Sequence, residues 1–166
     1  LIGEHGDYPT NEKGQRLYPR YELYQKIIDV YKASGKTASI FNDKHLSWDW
    51  DWCQEMYDQS QQLGFAFMAG SSLPVTWRTP SIEMPLGAEI EEAVGVAYGG
   101  VDGYDIHALE TIQCMVERRA GGEAGVDWLQ AYRGESFWQA YHDGVWSRRL
   151  FESALSRSHT LKPGRS

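Results

Sequence analysis

Apolar positions along residues 1–70 switch between strand-like runs and helix-like stripes. Leu1-Ile2-Gly3 has the pattern of a buried strand's end running into a loop, and the polar stretch 7–14, with Pro9, Asn11 and Gly14, predicts turns. A helix is expected over 19–34. There Leu23, Ile27 and Val30 or Tyr31 recur at helical spacing, Pro19 suits the first turn and Gly35 suits the residue just past the end. Residues 37–41 predict a short strand leading into the loop 42–45. Ser47 is the expected N-cap of a second helix, with Asp49 and Asp51 in its electropositive first turn and Trp52, Met56 and Leu63 as its buried stripe. Gly64 would end it, and residues 65–70, almost wholly apolar, predict a strand covered on both faces.

That order, strand–helix–strand–helix–strand with short connections, predicts a parallel sheet. The pattern then changes. Residues 71–87 are loop-rich, with Pro74, Pro80 and Pro85; a strand is expected over 90–98 and a helix over 104–119 that buries Ile106, Leu109, Ile112 or Gln113, and Val116. Residues 126–132 predict another strand, residues 137–155 a final helical region, and residues 156–166 are polar without a pattern. The expected fold class is α/β: a partial parallel sheet in residues 1–76, then the beginning of an α+β domain in residues 77–166.

Composition narrows the functional classes. With 166 residues, 42% of them hydrophobic and 23% charged, the chain has the make-up of a globular protein and not of a disordered or fibrous one. No stretch approaches the roughly 18 apolar residues of a membrane span, and the opening residues lack the basic-then-apolar order of a signal peptide. A net charge of −7 disfavours a phosphate-backbone partner, and the basic residues near Arg118-Arg119, Arg148-Arg149 and the tail suit solvated surface. Cys53 and Cys114 lie far apart without a CxxC. Free thiols in a reducing compartment, the cytoplasm, are therefore expected, although a single disulfide stays open. The seven Trp and ten Tyr suit an aromatic core, or flat rings that stack on a sugar.

In an α/β sheet, ligands bind in the loops after the strand ends. Four polar clusters fall at such places or at a later helix start: Glu4-His5-Gly6-Asp7-Tyr8, Asn42-Asp43-Lys44-His45, Gly70-Ser71-Ser72, and Asp102-Gly103-Tyr104-Asp105-Ile106-His107. Singly, each has an ordinary explanation as a turn or a solvated surface. In order, they carry a resemblance. Gly35-Lys36 before the strand ending Asn42-Asp43-Lys44-His45, then Phe67-Met68-Ala69-Gly70, then Gly103-Tyr104-Asp105-Ile106-His107-Ala108-Leu109-Glu110, resemble successive motifs of the Gfo/Idh/MocA sugar oxidoreductases.

The resemblance covers residues 1–117, from mid-Rossmann domain into the substrate domain. It implies that residues 1–76 are the second half of a Rossmann-like NAD(P)-binding domain and that residues 77–166 belong to a substrate and oligomerisation domain. The opening Leu1-Ile2-Gly3, a strand end without a leading Met, fits an earlier segment of chain. The implied activity is oxidation of a sugar or polyol hydroxyl with NAD or NADP, in a homo-oligomer. Lys44 and His107 would be the catalytic residues, the Lys assisting loss of the hydroxyl proton and the His serving as acid and base. His5, Asp7, Asp43, Lys44 and Gly70 would lie against the cofactor.

The chain also departs from the family pattern. His45 stands where the family has Pro, which is expected to loosen the loop and add a titratable group; Gly103 stands where an Asp is expected, and Asp105 where a Gly is. No GxGxxG follows a strand, so the dinucleotide fingerprint would precede Leu1. These departures motivate an alternative, a non-catalytic relative serving as a binding or structural protein. A third class is a metal-dependent hydrolase or isomerase built on His5, Asp7, Asp43, His45 and His107, for which neither HxH nor HExxH spacing is present.

Overall fold

The computed structural model describes residues 6–157. They form five α-helices and a two-stranded parallel sheet, in the order α1 (Arg20–Ser34), β1 (Ile40–Asp43), α2 (Trp50–Leu63), β2 (Phe67–Gly70), α3 (Val101–Val116), α4 (Glu135–Asp143) and α5 (Arg148–Ser156). The chain divides into two compact units: Leu1–Leu73 with Gly99–His107, and Pro74–Tyr98 with Ala108–Ser166. The strand expected at residues 1–3 lies outside the described residues.

In the first unit, β1 and β2 pair in parallel with Ile40 opposite Phe67 and Asp43 opposite Gly70. Both preceding helices end where the sequence places a glycine. Gly35 and Gly64 take left-handed conformations, φ 65° and 68°, and return their amides to the last turns of α1 and α2. Tyr24 and Ile28 of α1, Ile40 of β1, Met56 of α2 and Phe65 form the buried cluster. Leu23, Ile27 and Tyr31, the stripe expected from the sequence, pack at its margin. The centre of the α1 face is Arg20, Tyr24 and Ile28, also spaced by four. Tyr24 Oη donates a 2.6 Å hydrogen bond to the Met56 carbonyl, and Tyr21 stacks on Trp52 at 4.6 Å while donating to Glu55 at 2.6 Å. Those contacts fix α1 against α2.

Two expectations are corrected here. The α2 N-cap is Asp49, whose carboxylate accepts the Trp52 amide at 3.1 Å, so the helix starts later than a Ser47 cap would place it. Ser47 instead accepts the Asp49 amide, which presents the better acceptor to the helix. Nor is the sheet covered on both faces among the described residues. Ile40 and Asn42 are buried while Phe41 between them is exposed, as are Met68 and Ala69 of β2.

The second unit is helical with long connections. No strand forms over 90–98 or 126–132. β-propensity expresses fit to a neighbouring pleated strand, and here the neighbours are of another kind. Ala88 pairs with Arg119 beyond α3 through the Ala120 amide at 2.9 Å, Gly87 donates to the Arg118 carbonyl at 2.7 Å, and Gly95 lies so close to Ile112 that a Cβ would sit 2.6 Å from its side chain. Val126, Trp128 and Leu129 remain exposed. On α3, Ile106, Ile112 and Val116 are half-buried and Leu109 is exposed. The region 137–155 is two helices, because Gly144 terminates α4 at φ 74° and Ser147 caps α5 by accepting the Leu150 amide. Phe137, Trp146, Tyr141 and Phe151 pack ring on ring between them.

Tyr24→Phe deletes the buried hydrogen bond to Met56 with almost no change in shape. It is expected to lower stability by about 1 kcal/mol, whereas Met56→Ala, which leaves a cavity, costs about 2–5 kcal/mol. Urea unfolding of the two variants beside the parent chain checks the ranking.

Candidate active site

The site is built where β1 and β2 stop. Beyond the last parallel pair the chains exchange two further hydrogen bonds: the Lys44 amide donates to the Gly70 carbonyl at 3.0 Å and the Gly70 amide to the Lys44 carbonyl at 2.9 Å. Gly70 sits at φ 135°, open only to glycine, and Lys44 at φ 72°, a left-handed conformation that costs a non-glycine residue about 1–2 kcal/mol. The loop after Lys44 offsets that cost. Asn42, fully buried on β1, donates its amide nitrogen to the carbonyls of His45 at 2.7 Å and Leu46 at 3.3 Å. Arg20, also buried, donates from Nη1 to the same His45 carbonyl at 3.1 Å.

His45 therefore does not loosen the loop. Its carbonyl is the loop's anchor, and its ring packs edge-on against Tyr18 at 5.8 Å. Burial, reinforced by the neighbouring Arg20 charge, pushes the imidazole down to about 4, so the ring is neutral at physiological pH. Lys44 beside it forms an ion pair with the Asp43 carboxylate, both side chains partly exposed. Lys44, His45, Tyr18 and Arg20 share a cavity of about 80 Å³ with Asp102 and Gly103 at the start of α3. The Asp102 carboxylate is held there by the Arg16 amide at 3.2 Å. Gly99, just before α3, lies so close to that helix that a Cβ would meet the Tyr104 ring at 2.5 Å.

His107 follows on the same helix, half-buried, with its Nδ1 2.6 Å from Ser71 Oγ. Ser71 is the residue after Gly70, and its oxygen also accepts the Leu73 amide at 3.0 Å. The sequence-predicted residues thus separate into groups. Asp43, Lys44 and Gly70 meet at the strand ends, and His107 joins them through Ser71. Asp7 is exposed in the loop before α1 and does not line the Lys44 cavity. His5 lies outside the described residues. Arg20 and Ser71 were not singled out by the sequence. Arg20 did sit at the same helical spacing as Tyr24 and Ile28, and Ser71 belonged to one of the four polar clusters.

A dinucleotide pyrophosphate rests on glycine amides at a strand–helix turn. The turn after β1 carries Asn42-Asp43-Lys44-His45 and the one after β2 Gly70-Ser71-Ser72, so neither fits that role. Among the described residues, no group of three or more His, Cys, Asp or Glu is arranged to hold a metal ion. Cys53 and Cys114 are free thiols. None of the described helices is long and apolar enough to cross a membrane. No protein-family model, curated protein or solved structure matches the chain.

Two outcomes test this geometry. In Asn42→Asp a carboxylate faces two carbonyl oxygens in a buried site, and a loss of about 3 kcal/mol or more is expected on urea unfolding. For His45, the folded value of about 4 lies below the ordinary 6.5, so on acidification the unfolded chain takes the proton first. Its stabilising contribution is complete above the ordinary value and is lost as pH falls toward the folded one. Between about pH 7.5 and pH 5 the parent chain is expected to lose about 1 kcal/mol from this group, the part of the shift left after solvent screening of a partly exposed ring. His45→Gln should lack that part of the loss in parallel urea titrations.

Proposed function

We propose that the chain is part of an NAD- or NADP-dependent oxidoreductase acting on a sugar or polyol hydroxyl. The observation that supports it most is the meeting of Lys44, Gly70 and, through Ser71, His107 at the carboxyl ends of two parallel strands. Ligands of open α/β sheets bind in that place. In this reading β1 and β2 belong to a larger Rossmann-like sheet. The pyrophosphate cradle, and with it the choice of NAD or NADP, then belongs to chain outside residues 1–166. Residues 77–166 contribute to a substrate domain and to a homo-oligomer, in the cytoplasm.

The chain's own contribution would be proton handling. The Lys44 ammonium stabilises negative charge developing on a substrate oxygen through a charge-assisted hydrogen bond, once that oxygen competes with Asp43 for it. His107 exchanges the hydroxyl proton, an imidazole being able both to accept and to donate one. The second reading, a non-catalytic relative, draws on one observation. The cavity beside Lys44, about 80 Å³, is well below the roughly 300 Å³ at which small-molecule pockets begin.

The test is a titration of NAD and NADP against the full gene product that carries these residues, followed by assay on sugars and polyols. Cofactor binding with turnover, reduced about a hundredfold or more in both Lys44→Ala and His107→Ala, is the expected result. A full-length protein that binds neither cofactor would move the function to the second reading.

A further inference from the structure

Residues 9–17 form a hairpin that is complete in itself. At its neck the Leu17 amide donates to the Pro9 carbonyl at 2.9 Å; the Asn11 amide donates to the Gln15 carbonyl at 2.9 Å, and Thr10 lies opposite Arg16 between them. At the tip Asn11 Oδ1 accepts the Lys13 and Gln15 amides, each at 3.0 Å, and Gly14 turns at φ 81°. No residue from 7 to 19 is buried. Among the described residues, two hydrogen bonds reach from the hairpin to distant segments. Gln15 Nε2 donates to the Trp48 carbonyl at 3.2 Å, and the Arg16 amide donates to the Asp102 carboxylate at 3.2 Å. A segment whose backbone bonds are satisfied internally, with few contacts outside, opens locally at low cost and as one piece.

The hairpin bears on the Lys44 cavity at two points. Asp102, which it clasps, is a wall residue of that cavity. The chain then leaves the hairpin directly into Tyr18, another wall residue, whose amide donates to the Arg16 carbonyl at 3.0 Å. The Tyr18 ring rests edge-on against His45 at 5.8 Å and against Tyr8 at 5.6 Å. We propose that the 9–17 hairpin is a strap, and that its release from Trp48 and Asp102 carries Tyr18 off His45 and opens the Lys44 cavity to ligand. The volume of about 80 Å³ is then that of the closed form, which is why it falls short of the roughly 300 Å³ of a small-molecule pocket. Two latches on one rigid hairpin open together: the loss of either weakens the hold of the other, and Tyr18 moves with both.

That the opening admits a sugar or polyol rests on the oxidoreductase reading; the strap itself does not. The test therefore has two arms, both on Gln15→Glu. This change deletes the donor to Trp48, keeps an acceptor for Asn11 Nδ2, which bonds Gln15 at 2.8 Å, and alters no residue that lines the cavity. The first arm needs no substrate and follows hydrogen exchange of single amides by proton–nitrogen spectra. Losing one hydrogen bond of ordinary net worth should speed exchange of the Arg16 amide, whose partner Asp102 is untouched, about fivefold or more. The Leu17 amide in the neck and the Ile40 amide in the sheet should keep their parent rates. An unchanged Arg16 rate would mean independent latches, and acceleration shared by Leu17 or Ile40 would mean unravelling; either overturns the strap. In the second arm, on the active full gene product, kcat/KM for the sugar or polyol should rise with the open population, about fivefold, while kcat stays near the parent value. Faster Arg16 exchange beside an unchanged kcat/KM would overturn the gating of the cavity. Faster Arg16 exchange without turnover on any sugar or polyol would leave the strap standing and sink the oxidoreductase reading instead.

Discussion

The candidate site depends on how a two-stranded parallel ladder ends. Parallel strands lay their hydrogen bonds at a slant and evenly, and β1 and β2 follow that pattern through Asp43 and Gly70. One residue later the relation changes to a reciprocal pair between Lys44 and Gly70, which closes the ladder and turns both chains away. The positive φ of both residues is the geometric consequence. A lysine is thus held in a backbone conformation usually left to glycine, its side chain beside Asp43 and its neighbour His45 turned into the unit. Ser71, next after the closing pair, is placed by the same event.

The interior behind this turn is unusually polar. Arg20 and Asn42 are both buried and both donate to the His45 carbonyl. One carbonyl receiving two side-chain donors is a strong anchor in a low-dielectric setting. The guanidinium that helps make it also disfavours a charged imidazole next door. Position 45 is therefore a structural wedge, while Lys44 stands at one strand end beside Asp43 and His107 lies against Ser71 at the other.

Much of the first unit was legible in the sequence. Gly35 and Gly64 marked the ends of α1 and α2, and short apolar runs between them marked parallel strands, because stop signals and alternation are local properties. The order of motifs along the chain singled out Lys44, Gly70 and His107, and the structure pairs Lys44 with Gly70 and sets His107 against Ser71. What escaped was decided by partners. Asp49 displaced Ser47 as the α2 cap because two adjacent acceptors competed for the same amides. Residues 90–98 and 126–132 carried strand patterns but found no strand to pair with among the described residues. Arg20, of a residue type seldom fully buried, is buried by its place on the Tyr24–Ile28 face. The contact of Ser71 with His107 joins residues 36 positions apart, a separation that no local pattern encodes.

The first unit is discontinuous: Gly99–His107 returns to it after residues 74–98 have gone elsewhere. During synthesis, the helices and strands of residues 20–70 can collapse as soon as they emerge. The wall of the Lys44 cavity made by Asp102 and Gly103, and His107 itself, must wait for chain made several seconds later at ribosomal speeds of roughly 5–20 residues per second. Closing that excursion also carries an entropic charge of a few kcal/mol that the earlier core does not bear. The segment that carries Asp102, Gly103 and His107 is accordingly the last part of its unit to be assembled, and should be the first to come apart when the chain is destabilised.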